Sequence, residues 1–175
     1  MYHLDTPYPT IIFEDCFIDP SIMDHVIKKK NKKRISQQLW YKDKYNPYVS
    51  FICDITSSLL NLHNFNHNRD IWYIDLIRYQ FNNVKKPVKS GLAWHCENDN
   101  DDNLITVLFY LHIDETIIDG NLMYKDKDNV KNILKIRSGI TVIMDGRVRH
   151  KPQNPYGLGK RDLIIVSFKN NRMKI

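Results

Sequence analysis

A chain of 175 residues with 42% hydrophobic content can enclose one core of ordinary size, so a single domain spanning residues 1–175 and a single site are expected. The formal net charge of +6 is modest, and no apolar run is long enough to span a bilayer. Met1-Tyr2-His3-Leu4-Asp5 lacks the charged-then-apolar layout of a secretory signal, so a soluble, cytoplasmic protein with no membrane partner is expected.

Three cysteines, Cys16, Cys53 and Cys96, stand at wide spacings without a C-x-x-C pair, which argues for reduced thiols and against a structural zinc. In chain order, Thr10-Ile11-Ile12-Phe13 reads as a short strand, and the remainder of residues 1–69 reads as mostly helical support. Asp19-Pro20 has the form of a helix start, after which Ile22, Met23, Val26 and Ile27 recur on one face. The basic run from Lys28 to Arg34 is expected to be a solvated helix end, its functional alternative being contact with a polyanion or an acidic substrate. A second helix is predicted from Tyr48 to about Leu62, because Phe51, Ile52, Ile55, Leu59 and Leu62 repeat with helical spacing. His63 and His67 follow among asparagines and are expected to be exposed and structural, although their spacing would also suit a metal on a helix face.

From Asp70 the pattern changes to β-branched and aromatic runs at Ile71 to Gln80, Leu92 to Glu97, Ile105 to Asp114, Asn121 to Lys125, Ile133 to Arg137, Ile140 to Met144 and Leu163 to Phe168. Turn chemistry punctuates them at Asn82-Asn83, Ser90-Gly91, Asp99 to Asn103, Asp119-Gly120, Ser138-Gly139, Asp145-Gly146 and Gly157-Leu158-Gly159. Helices first and strands afterwards predict a mainly β, α+β domain: a sandwich or barrel (residues 70–175) with helices supporting one outer face. Trp40, Trp72 and Trp94 lie beside apolar runs and are read as core or core-edge residues, not as a base-stacking platform.

The chemistry is concentrated at Trp94-His95-Cys96-Glu97. On a strand, His95 and Glu97 share a face while Cys96 points away, so an imidazole and a carboxylate converge. His150, after the strand Ile140 to Met144, is the candidate third ligand. Two imidazoles and one carboxylate on one side of a metal leave the other side open, the arrangement used by non-haem iron(II) oxygenases. An H-x-E alone is a weak signal, which His150 and Arg161 strengthen: a guanidinium opening the last strand can grip a carboxylate through paired hydrogen bonds.

The stretch from Tyr79 to Phe168 resembles the 2-oxoglutarate- and Fe(II)-dependent dioxygenases, and among them most the prolyl 4-hydroxylase branch. The resemblance is carried by Arg78-Tyr79, His95 to Asn100, Leu104 to Asp114, Gly120-Asn121-Leu122, Gly139 to Met144, His150 to Pro155 and Arg161 to Phe168. It implies a double-stranded β-helix (jelly roll) and a catalytic metal site in which His95, Glu97 and His150 hold Fe(II). It further implies that Arg161 binds the C5 carboxylate of the co-substrate 2-oxoglutarate with the Tyr110 hydroxyl as a second donor, that Tyr79 lines the pocket, and that O2 is the oxidant. Three departures accompany it: Glu97 stands where Asp is usual, Asp119-Gly120 replaces a glycine pair, and Arg161 lies further from its histidine, as if Tyr156 to Gly159 made a wider turn.

The activity implied is hydroxylation of a protein or peptide side chain, with proline one candidate. An oxidative nucleic-acid demethylase is the alternative that the basic charge would suit, but that branch usually has a second arginine where this chain has Ser167. A non-catalytic jelly roll is the alternative of another class, and a cupin-type site would want H-x-H. His112, alternating with Tyr110, is expected to be a satisfied histidine and not a pocket residue. Lys85-Lys86-Pro87-Val88-Lys89 is read equally as a cover over the pocket and as a solvated loop.

Overall fold

The computed structural model describes residues 1–27, 34–40, 45–85, 93–97 and 104–170. Residues 28–33, 41–44, 86–92, 98–103 and 171–175 lie outside the described residues. So do the readings made of most of the Lys28 to Arg34 run, of Lys86 to Lys89, of Ser90-Gly91 and of Asp99 to Asn103.

The described strands are β1 (Tyr2–His3), β2 (Thr10–Phe13), β3 (Arg34–Trp40), β4 (His67–Val84), β5 (Leu104–Ile113), β6 (Ile117–Ile118), β7 (Leu122–Lys125), β8 (Lys131–Leu134), β9 (Ile140–Asp145), β10 (His150–Pro152) and β11 (Tyr156–Asn170). They form an eight-stranded antiparallel sheet in the order β1-β2-β9-β5-β11-β4-β3, with β6 paired to β11, and a three-stranded sheet in the order β10-β7-β8. Strand alternation gives the large sheet two apolar faces. Its inner face packs Ile12, Ile77, Leu108, Val142 and Leu163 against Leu122 and Leu134 of the small sheet, closing a jelly roll.

The outer face presents Ile74, Leu76, Val107, Phe109, Ile164, Val166 and Phe168, and two helices cover it. Helix α2 (Pro47–Leu62) covers the span predicted from Tyr48 to about Leu62; it starts with the Asn46 side chain accepting the Tyr48 N–H and proline in the first turn, and it buries Val49, Ile52, Leu59 and Leu60. Helix α1 (Ile22–Val26) is a short segment: the Asp19 carboxylate accepts the Ser21 N–H, and the chain turns extended at Ile27. The apolar periodicity at Ile22, Met23, Val26 and Ile27 nevertheless seats all four in the core.

On this outer face Asp162, fully buried, accepts Arg78 Nε and Nη2 at 2.8 and 2.9 Å, and Arg78 Nη1 meets Asp24 of α1 at 2.7 Å. The two carboxylates hold the Arg78 guanidinium charged, above its ordinary pKa, against the burial that opposes it. Arg78→Ala leaves the Asp162 charge buried with only Lys160 Nζ at 3.5 Å, so a stability loss of about 3 kcal/mol is expected in denaturant unfolding. A loss below about 1 kcal/mol would mean that the pair contributes no more than an exposed one.

Several sequence expectations change. The first third supplies three strands beside its helices, β3 among them, so it builds the sheet as well as supporting it. Asn82-Asn83 lies inside β4, and Gly157 and Gly159 are strand positions in β11. Both glycines have positive φ (115° and 112°), and a register shift separates their rungs. The segment predicted as a turn is a bulge, which Gly permits and which lengthens the path from His150 to Arg161. The strand expected at Leu92 to Glu97 contracts to one isolated bridge, His95 with His150, and the strand expected at Ile133 to Arg137 is shifted to Lys131–Leu134. Among the described residues no helix is long and apolar enough to cross a membrane, and Cys16, Cys53 and Cys96 are not joined in disulfides.

Candidate metal centre

Between the two sheets lies a cavity of about 500 Å³. Its lining brings together all six residues singled out in the sequence: His95, Glu97, His150, Tyr79, Tyr110 and Arg161.

Backbone pairing aligns the two histidines. His95 N–H donates to His150 O at 3.0 Å and His150 N–H to His95 O at 2.9 Å, a reciprocal pair that puts both side chains on one side of the bridge, with ring centroids 4.4 Å apart. A backbone carbonyl can only accept, so His95 Nδ1 donates its proton to Ala93 O (2.9 Å) and His150 Nδ1 to Val148 O (3.0 Å). Each Nε2 then faces Glu97, where with its proton it donates to the carboxylate and without it offers a lone pair to a metal, as a metal-binding imidazole needs. After His95 the chain leaves the bridge: Glu97 N–H donates to Gly146 O at 2.8 Å, and Cys96 Sγ turns away to Arg147 O. The longer Glu97 side chain thereby reaches back to 3.6 Å from His95 Nε2 and 3.5 Å from His150 Nε2.

One ligand atom from each of the three residues lies within 4.8 Å of the others, and no second such cluster occurs among the described residues. Burial alone would push the Glu97 pKa up, but hydrogen bonds and charge from His150 and His95 outweigh it and hold it down at about 2. The group is therefore an anionic oxygen facing two imidazole nitrogens, a donor set that suits a divalent transition metal.

The other end of the cavity is built for an anion. On β11, Arg161 pairs across to Tyr79 on β4 and Ile113 on β5. Its guanidinium carbon lies 5.4 Å from the Tyr110 ring centre and 6.0 Å from that of Tyr79. Arg161 is 3% exposed, and its buried Nε has no hydrogen-bond partner in the protein. An unmatched donor inside a cavity calls for an acceptor brought by a ligand. Burial pushes the Tyr110 hydroxyl up to about 12, against the opposing pull of Arg161, so the phenol stays a donor throughout the neutral range.

Gly120 admits this arrangement. With φ +78° it takes a conformation that other residues resist, and a Cβ there would collide with Arg161 Nη1 and lie 3.0 Å from Pro155 Cβ. Gly120→Ala is expected to displace the guanidinium and weaken binding of a dicarboxylate at least about tenfold, measured by calorimetry. Unchanged affinity would show that Arg161 is not held by this contact.

Other residues take ordinary roles. His112 Nε2 pairs with Asp114 Oδ1 at 2.8 Å on the surface, away from the cavity. His67 meets Ser57 Oγ and Phe65 O, and His63, half-buried instead of exposed, packs its ring against Phe13. Trp94 is half-buried under Lys125 Nζ. The lining also holds residues not singled out in the sequence, Tyr73, Asp75, Gln38 and Gln153. The Tyr73 hydroxyl hydrogen-bonds Glu97 and is pushed up to about 12 by burial and by that carboxylate's charge. The signal for Tyr73 and Asp75 was parity: both share the face of Tyr79 on one strand.

No family model and no curated protein sequence matches the chain. Solved structures do. The fold is that of the 2-oxoglutarate- and Fe(II)-dependent oxygenases. Within that class the similarity includes prolyl hydroxylases: a Pseudomonas putida prolyl-4-hydroxylase (TM-score 0.61, 12% identity, 95% of each chain covered) and a Trichoplax adhaerens prolyl hydroxylase in complex with a hypoxia-inducible-factor peptide fragment (0.60, 15%, 92% of this chain and 83% of that one). HygX from Streptomyces hygroscopicus, with nickel and 2-oxoglutarate bound, is similar at a TM-score of 0.58 and 11% identity, over 95% of this chain and 84% of that one.

Proposed function

We propose that the chain is an Fe(II)- and 2-oxoglutarate-dependent dioxygenase, an oxidoreductase of one domain that hydroxylates a side chain of a protein or peptide. The observation that carries this reading is the pairing, inside one cavity, of two imidazoles and a carboxylate at one end with a buried, partly unpartnered arginine at the other.

In this reading His95, Glu97 and His150 hold the iron, and Arg161 grips the C5 carboxylate of 2-oxoglutarate with Tyr110 as second donor and Tyr79 beside it. The bound iron supplies the coupling of two oxidations to the four-electron reduction of O2: 2-oxoglutarate, O2 and a substrate C–H become succinate, carbon dioxide and C–OH. The protein's share is placement. The carbonyls of Ala93 and Val148 fix the imidazole tautomers, and Tyr73 orients the Glu97 carboxylate. The apolar walls Ile77, Leu108, Leu122 and Leu163 exclude water from the space between.

A peptide substrate is supported by the peptide-bound prolyl hydroxylase among the similar structures, and proline is one candidate residue. The substrate class is tested by succinate release in the presence of peptides or oligonucleotides. Stimulation by peptides is expected, and stimulation by oligonucleotides alone would move the protein to the nucleic-acid demethylases.

A further inference from the structure

Alternation along β4 sends Tyr73, Asp75, Ile77 and Tyr79 to the cavity. Tyr79 shares a rung with Arg161, and Asp75 shares one with Ile165 on β11 and with Gln38 on β3. Four residues of strand separate these rungs, about 13 Å. The cavity thus has a cation on one rung and a carboxylate on the other.

Asp75 lies between the Arg161 end and the metal ligands, two residues from Tyr73 and four from Tyr79 on the same face, and so nearer the metal ligands than Arg161 is. Tyr73, next on the same face, hydrogen-bonds Glu97 and feels the Asp75 charge. A dicarboxylate lying against Asp75 would be repelled, so Asp75 faces the space left to the substrate. It is 9% exposed, among Ile77 and Ile165, and besides Glu97 it is the one acidic side chain lining the cavity among the described residues. Packing does not ask for it, since its neighbour Ile77 fills the same wall with hydrocarbon, and burying a carboxylate is costly even with polar company inside the protein. Gln38 adds an amide across the β3–β4 pair. A wall of acceptors with apolar flanks fits an alkyl stem ending in a protonated nitrogen. A proline ring within a peptide has no N–H to offer it.

We propose that Asp75, with Gln38 beside it, makes the site selective for the basic side chain of a lysine or arginine over proline. The proposal rests on the dioxygenase reading above.

The test uses protein loaded with manganese(II) and 2-oxoglutarate under argon, so that binding is read without turnover. Capped pentapeptides Gly-Gly-Xaa-Gly-Gly, with Xaa lysine, arginine, norleucine, proline or glutamate, are titrated by calorimetry. The lysine or arginine peptide is expected to bind at least about tenfold more tightly than norleucine or proline, with the preference lost in Asp75→Asn and turned toward glutamate in Asp75→Lys. Incubation of the peptide with iron-loaded protein and 2-oxoglutarate in air should then add one oxygen to the basic residue, the second oxygen atom entering succinate, read by mass spectrometry. Equal binding of lysine and norleucine peptides, a preference unchanged in Asp75→Asn, or oxygen added to proline would overturn the proposal. Loss of 2-oxoglutarate binding by the wild-type protein would instead overturn the reading beneath it, so the two failures are distinguishable.

Discussion

His150→Ala is expected to reduce iron-dependent succinate release by at least about 100-fold, the upper range for disturbing a ligand's mere supporting partner, and His95→Ala should do the same. His150 is 5% exposed, its Nδ1 is committed to the Val148 carbonyl, and its backbone fixes His95 across a two-bond bridge. Alanine keeps that backbone bridge in both variants, so thermal unfolding should change far less than activity does. Succinate release unchanged in both variants would remove the metal site from the account.

Arg161→Lys carries the second large effect. The KM for 2-oxoglutarate should rise about 100-fold, some 3 kcal/mol, while kcat with saturating co-substrate falls much less. The side chain is buried beside Tyr110, and its Nη1 occupies the space that a Cβ on Gly120 would take. A lysine keeps the charge but loses the planar fork that can bind both oxygens of a carboxylate. An equal fall in kcat with no change in KM would instead place Arg161 among groups acting on the reacting atoms.

Much of the large sheet was legible in local sequence chemistry; His95, Glu97, His150 and Arg161 were picked out by residue type and spacing, and Tyr79 and Tyr110 through the family resemblance. Continuous β-branched and aromatic runs mark β5 and β9, and the apolar repeat from Phe51 to Leu62 marks α2. What escaped depends on tertiary pairing. β3, with its Arg-Ile-Ser-Gln-Gln-Leu-Trp sequence, has little strand pattern of its own and is held as an edge strand by register with β4. Gly157 and Gly159 signal a turn locally, yet in β11 their positive φ produces a bulge while the strand continues. At the site, alternation correctly put His95 and Glu97 on one side but for an incomplete reason. The segment is a single bridge that turns away after His95, and the reach of Glu97 restores convergence on the two imidazoles. Asp75 went unread because a charge in a strand normally faces water, and only the placement of β4 between β3 and β11 turns it inward.

The central claim is that one cavity holds a divalent iron and a keto diacid together. Anaerobic addition of Fe(II) and then 2-oxoglutarate to the wild-type protein should produce the weak visible charge-transfer band of the iron–keto-acid chelate. The same additions to His150→Ala should produce none. A wild-type protein that binds both components without that band, or a band that persists in His150→Ala, contradicts the account.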